Sequence, residues 1–355
     1  MIGIGSSLLF DRRSGKGGSP IPPFNDALVD VWFMSGLSNN DKPSSIVGVK
    51  GNEVILKNFA YSLSSGFGKY EVDFNSWRAN NNISYKDSIE FKAELNKDEI
   101  KGRKYFLQHP DTEKINSFRI KVISNHTAED IYELEYRYLN SDKQIQYFKI
   151  SSDGEYTLPA SFPTDETEVT YTNKLGFAYS TYSLKDISFT ITQLPSAYEG
   201  ALVFDGVDDY GVCSVLPILD DYTLICKREW IDLSRESNAA IANKRKVNQT
   251  LGGAFNFERL TISQILTLSF GNYTNIQLSS SGVVYQTKTS YNGDKVISSG
   301  SLTDTDSLFL GCSGNGIEFA NCAIYYFALY NKSLTPEEIE TEKERLNEEW
   351  LKRKN

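Results

Sequence analysis

From about residue 71 to residue 196, most clearly between 117 and 191, apolar side chains return at every second position in one segment after another. That period marks 71–196 as a β-sandwich unit and is the strongest constraint on the fold. Ser117-Phe-Arg-Ile-Lys-Val-Ile123 sets Phe118, Ile120 and Val122 on one face with polar groups between them. Ile131-Tyr-Glu-Leu-Glu-Tyr-Arg-Tyr138 and Gln144-Ile-Gln-Tyr-Phe-Lys-Ile150 repeat the pattern. A two-residue period places one side of an extended chain against a core and the other in water, which a helix cannot do. Asp153-Gly154 reads as a hairpin turn with Glu155-Tyr-Thr-Leu158 as the returning strand. Lys185-Asp-Ile-Ser-Phe-Thr-Ile191 closes the unit, and Leu194-Pro195 ends it. With no helical stripe between these strands, a β-sandwich or jelly roll is the economical fold. The 21 Tyr and 20 Phe agree, because aromatic side chains suit a half-buried pleated surface.

The rest of the chain divides around this unit. Residues 1–24 hold Gly3, Gly5, Gly15, Gly17 and Gly18 with Pro20, Pro22 and Pro23, a composition that makes neither a regular helix nor a central strand. The segment reads as an anchoring arm that orders on a partner, with Phe10, Arg12, Arg13, Lys16 and Phe24 as its contact residues. Residues 25–70 read as a small β module with short strands such as Leu28-Val-Asp-Val-Trp-Phe-Met34 and Glu53-Val-Ile-Leu56. From 198 onward, Ala201-Leu-Val-Phe-Asp-Gly-Val-Asp-Asp-Tyr-Gly-Val-Cys213 gives two strands about Asp205-Gly206. The long strand Asp221–Ile231 turns Leu224, Cys226 and Trp230 to one face, and Cys322–Leu329 is a late strand. Thr335-Pro-Glu-Glu338 is a capping box opening a helix over 336–353. Ile339, Leu346 and Trp350 form its apolar stripe. The expected fold is all-β: tandem β-sandwich or jelly-roll domains with an irregular N-terminal arm and one C-terminal α-helix.

Charge and motifs narrow the function. A net charge of −9 and a pI near 5.0 disfavour nucleic acid and anionic membranes as partners. No apolar run reaches the roughly 18 residues that cross a bilayer, and no secretory leader is legible, so synthesis in a cytoplasm is expected. Cys213, Cys226, Cys312 and Cys322 show no metal-ligand spacing and read as reduced core residues. His109 and His126, the only histidines, read as loop residues. No Gly-x-Ser-x-Gly elbow, phosphate loop or HExxH is present, so no catalytic residue, metal or cofactor is assigned. Asp205, Asp208 and Asp209 can ligate calcium through oxygen, but turn building and solvation account for them more simply.

Three ordered pieces of the last unit carry a resemblance. Leu202 to Tyr210, Leu308 to Gly311, and the strand from Ala323 followed by Leu-Thr-x-Glu-Glu-Ile339 together resemble the laminin-G-like or concanavalin A-like lectin/glucanase jelly roll. The glucanases of that fold resemble one another in a Glu-x-Asp-x-x-Glu strand motif that this chain lacks. The resemblance implies a shallow sugar site with exposed aromatics, for which Tyr210, Tyr273, Tyr285 and Tyr291 are the candidates. A second resemblance lies in Met1-Ile-Gly-Ile-Gly, Val29 to Asp41, and Leu56 to Tyr61 with Ser65 to Tyr70, which are similar to virion structural proteins of crAss-like Bacteroidales phages. It implies a non-enzymatic head fibre, capsid decoration or tail-associated fibre located in the virion. Its implied partners are capsid or tail proteins, further copies of itself as a dimer or trimer, and host surface glycans. The alternatives are a carbohydrate-active enzyme with a lectin-like module and a bacterial surface adhesin.

Overall fold

In the computed structural model the strand Leu28–Phe33 lies antiparallel beside the late strand Asn321–Tyr330, with Leu28 opposite Tyr330 and Phe33 opposite Tyr326. The structure describes residues 23–95, 104–109, 113–125, 132–163, 175–181, 186–213, 216–217, 221–233, 239–244, 255–260, 266–269, 281–287, 307–312 and 318–354. They form antiparallel sheets and one C-terminal helix, the all-β class expected.

Two sheets make the C-terminal sandwich. One runs Ser281–Thr287, Thr223–Asp232, Asn321–Tyr330, Ala197–Asp205, Gly66–Lys69, with Leu28–Phe33 sharing the edge of Asn321–Tyr330. The other runs Ser45–Val47, Glu53–Lys57, Tyr210–Cys213, Leu308–Leu310, Ala240–Lys244, Phe255–Leu260, Leu266–Ser269. Residues 25–70, which the sequence reading sets apart as a small module, therefore contribute strands to both sheets. The physical reason is visible in one strand. Trp32 and Met34 enter the core between the sheets, and Val31 and Phe33 enter a second cluster beneath the helix, so both faces of the strand need a cover that 25–70 alone cannot supply.

The helix Pro336–Lys354 lies on the outer face of the first sheet. Its capping box is formed: Glu338 N–H donates to Thr335 Oγ1 at 3.2 Å and Thr335 N–H to Glu338 Oε2 at 2.8 Å. Ile339, Leu346 and Trp350 are buried as their spacing requires, and Glu342 is buried with them. Glu342 accepts a hydrogen bond from the Tyr330 hydroxyl at 2.9 Å and pairs with Arg345. Burial raises its pKa, and these partners oppose the rise. All four cysteines are buried as reduced thiols outside any disulfide.

The middle sandwich is inserted between Lys69 and Ala197, which face each other in register. Its sheets run Ile145–Ile150, Tyr132–Leu139, Leu175–Thr181, Lys104–His109, Arg78–Ala79, and Gly154–Leu158, Phe118–Ser124, Ile187–Leu194, Glu90–Leu95, Ile83–Lys86. Phe74, Phe91, Phe118, Tyr136 and Phe177 form its aromatic centre. Asp153-Gly154 does not close a hairpin. Ile145–Ile150 pairs with Tyr132–Leu139, whereas Gly154–Leu158 pairs with Phe118–Ser124 in the opposite sheet. Gly154, at φ 153°, turns the corner between sheets. Asp205-Gly206 likewise passes the chain from one sheet of the C-terminal sandwich to the other.

Candidate functional site

Among the described residues, those read as functional do not converge. Phe10, Arg12, Arg13, Lys16, Tyr273, Tyr291 and His126 lie outside the described residues. Phe24 packs within this chain, its ring 6.5 Å from that of Phe33, and the Arg353 guanidinium lies 4.8 Å over the Phe33 ring. The base of the arm is thus seated beside the end of the helix. Tyr210 is half-buried with Phe309 and Phe319 at 6.4 and 6.3 Å. Tyr285 joins the cluster beneath the helix, with Lys343 Nζ 5.6 Å from its ring centre. Both rings are thus partly enclosed by protein neighbours. His109 ends a strand, and its ring lies 5.1 Å from that of buried Trp77.

Asp205, Asp208 and Asp209 bring carboxylate oxygens within 4.8 Å of one another. Their contacts are those of a turn. Asp205 Oδ1 accepts from Val207 N–H at 2.7 Å. Asp209, wholly buried, accepts from Ser65 Oγ at 3.0 Å and Asp205 N–H at 3.1 Å. Burial, with the charges of Asp205 and Asp208 adding to it, pushes the Asp209 pKa up to about 7. Asp209 therefore ties residue 65 to the loop between the two sheets.

Arg228, Glu258 and Gln193 are buried polar residues that the sequence reading did not single out. Arg228 and Glu258 are both fully buried, and the guanidinium meets the carboxylate through two hydrogen bonds. Burial raises the Glu258 pKa, and Arg228 works against the rise. Gln193, also buried, clasps the junction between the sandwiches. Its Oε1 accepts from Glu71 N–H and Val72 N–H at 3.0 and 3.1 Å, and its Nε2 donates to Val72 O at 2.8 Å. Strand alternation does mark Arg228, two residues from both Cys226 and Trp230; nothing local marks Gln193.

A cleft of about 430 Å3 lies on the inserted sandwich, where Arg78–Ala79 and the following turn meet Lys104–His109. Two asparagines build it. Asn80 Nδ2 donates to Tyr105 O at 2.6 Å, Asn82 N–H to Asn80 Oδ1 at 2.9 Å, and Asn82 Nδ2 to Glu94 O at 3.0 Å. Their amides are consumed in holding the turn, while exposed Asn81 stands between them. Gln108 lies opposite Arg78 on the neighbouring strand and opposite Gly176 on the other side. Beyond Gly176 in the same row come Arg137 and then Tyr147. Arg137 lies between two rings, 5.9 Å from the centre of Tyr105 and 5.7 Å from that of Tyr147.

No family model matches the chain, and no curated protein matches it. Among solved structures, a Trypanosoma rangeli sialidase in complex with sialic acid is 8% identical, with a TM-score of 0.31 over 85% of this chain and 68% of the other. The CBM22-1–CBM22-2 tandem domain of Paenibacillus barcinonensis Xyn10C is 8% identical, with a TM-score of 0.19 over 77% and 99%. A β-porphyranase from Bacteroides plebeius is 10% identical, with a TM-score of 0.15 over 73% and 38%. TM-scores this low carry no activity, substrate or partner over to this chain.

Proposed function

We propose that this protein is a non-enzymatic structural component of a phage virion, a head fibre, capsid decoration or tail-associated fibre. Its arm over residues 1–24 holds it to capsid or tail proteins, and its inserted sandwich is displayed, with host surface glycans as the outward partner. The observation that supports this division is the topology. The strand that leads out of the arm, Leu28–Phe33, is built into the sheet of the C-terminal sandwich, and Phe24 is packed beside it. A pull on the arm is therefore taken up by a full sheet. The inserted sandwich leaves and re-enters that base at neighbouring strands, with Asn40 donating to Glu90 and Ser88 to Tyr61 O beside the junction, an arrangement suited to projecting a domain. Symmetric self-association, as dimer or trimer, would multiply weak contacts without a tight single site.

Mass spectrometry and cryo-electron microscopy of purified particles test this reading. Incorporation of the chain, with residues 1–24 ordered against capsid or tail, is the expected result. Absence from the particle removes the structural role.

A further inference from the structure

We infer that the cleft beside Arg78–Ala79 is a saccharide-binding site, formed by Asn81, Gln108, Arg78 and Tyr105 with Arg137 and Tyr147 extending it across the sheet. The inference gives a place to the outward glycan contact proposed above and rests on that part of the reading alone.

Four features carry it. First, the cleft is lined almost entirely by planar hydrogen-bonding groups, with Ala79 the one aliphatic side chain. An amide or guanidinium offers hydrogen-bonding atoms at fixed spacing in one plane, which suits neighbouring hydroxyls on a pyranose ring. Second, these groups are held ready. Asn80 and Asn82 spend their amides on the turn, whereas the Asn81 and Gln108 side chains hold no hydrogen bond among the described residues and remain available to a ligand. A frame rigid before binding loses less conformational freedom when the ligand arrives.

Third, aromatic surface lies alongside. Tyr105 lines the cleft and Tyr147 is 40% exposed, with Arg137 propping the two rings apart. Tyr presents an apolar face with a polar edge, the combination a sugar ring needs. Gly176, between Gln108 and Arg137, puts no side chain into the row. A Cβ there would stand 1.9 Å from Leu107 O, so the gap is enforced by the backbone. Fourth, the described lining contains no carboxylate and no imidazole. Most glycosidases cut with a pair of carboxyl groups across the bond, which this lining does not supply, so the cleft is suited to holding a sugar. The volume falls within the roughly 300–1,000 Å3 of small-ligand sites.

Affinity electrophoresis of the full chain tests the site, using mannan, xylan and dextran as neutral probes and polygalacturonate and chondroitin sulfate as acidic ones. Retardation by at least one probe is expected. Retardation by acidic probes alone assigns Arg78 the anionic substituent; retardation by neutral probes assigns recognition to the amides. Asn81→Ala and Gln108→Ala should each weaken binding about five- to tenfold, the loss of one hydrogen bond, with thermal unfolding unchanged. Migration unaffected by all five probes overturns the inference. So does retardation that survives the Asn81→Ala/Gln108→Ala double variant, and loss on Tyr210→Ala or Tyr285→Ala would then move the sugar to the C-terminal sandwich. Incorporation into virions is a separate measurement, and either reading can fail without the other.

Discussion

Replacing Arg228 alone should cost the C-terminal sandwich far more than replacing Arg228 and Glu258 together. Both side chains are 0% exposed, and the pair bridges the two sheets from Thr223–Asp232 to Phe255–Leu260. Arg228→Met leaves a buried carboxylate without its cation. Removing one partner of a buried ion pair typically costs about 3–5 kcal/mol. For a unit of this size, each kcal/mol lowers the melting temperature by about 2–4 °C, so a fall of roughly 6–20 °C is expected. Glu258→Leu strands the guanidinium and should fall in the same range. The double variant Arg228→Met/Glu258→Leu removes both desolvation costs and fills the space with apolar atoms, so it should lie within about 1–4 kcal/mol of the parent and can exceed it. Urea unfolding followed by tryptophan fluorescence measures all four corners of the cycle. Trp32, Trp230 and Trp350 belong to this sandwich, and Trp77 reports on the inserted one. A single-variant loss below about 1 kcal/mol, the range of exposed pairs, would refute a desolvated bridge. Additive single losses in the double variant would refute the coupling.

Two further perturbations test other contacts. Folding raises the Asp209 pKa from its ordinary 3.8 to about 7, so the folded chain favours the neutral acid. That contribution is complete below pH 3.8 and is lost as pH rises through about 7. Between pH 5 and pH 8 the parent should lose urea resistance, and Asp209→Asn should lose less; equal slopes would show that Asp209 titrates normally. Gly176→Ala, which drives a Cβ to 1.9 Å from Leu107 O at φ 143°, should destabilise the inserted sandwich by at least about 1–3 kcal/mol, read from the Trp77 signal. Parental stability would mean that the strands do not approach as described.

The two-residue period was enough to give the strands and the all-β class, because alternation is a local property. Phe118, Ile120 and Val122 are buried on one face as read. The helix was legible for a similar reason: Thr335 and Glu338 cap it and its stripe faces the sheet. What local pattern could not supply was partnership. Asp153-Gly154 has the composition of a hairpin, but the choice between hairpin and sheet-to-sheet corner depends on which distant strand is free to pair. Leu28–Phe33 carries apolar residues on both faces, consistent with a module edge or an interior strand, and only Asn321–Tyr330 decides between them. The cleft was illegible because its residues are ordinary polar types separated in sequence. Arg78, Gln108, Arg137 and Tyr147 become a row only through register.

The insertion itself bears on how such a chain divides its labour. The inserted sandwich leaves the base after Lys69 and returns at Ala197, and these residues face each other across one ladder. Ser196 N–H donates to Lys69 O at 2.7 Å, and Gln193 binds the backbone of 71 and 72. Closing the two ends therefore costs the base little, since they are already neighbours in its sheet. The inserted unit has its own aromatic core, so substitutions on its outer face, where Asn81, Gln108 and Tyr147 lie, act on packing separate from the sheet that holds Leu28–Phe33. On the proposed reading, attachment and recognition can then change independently, each in its own sandwich, with Gln193 holding the junction between them.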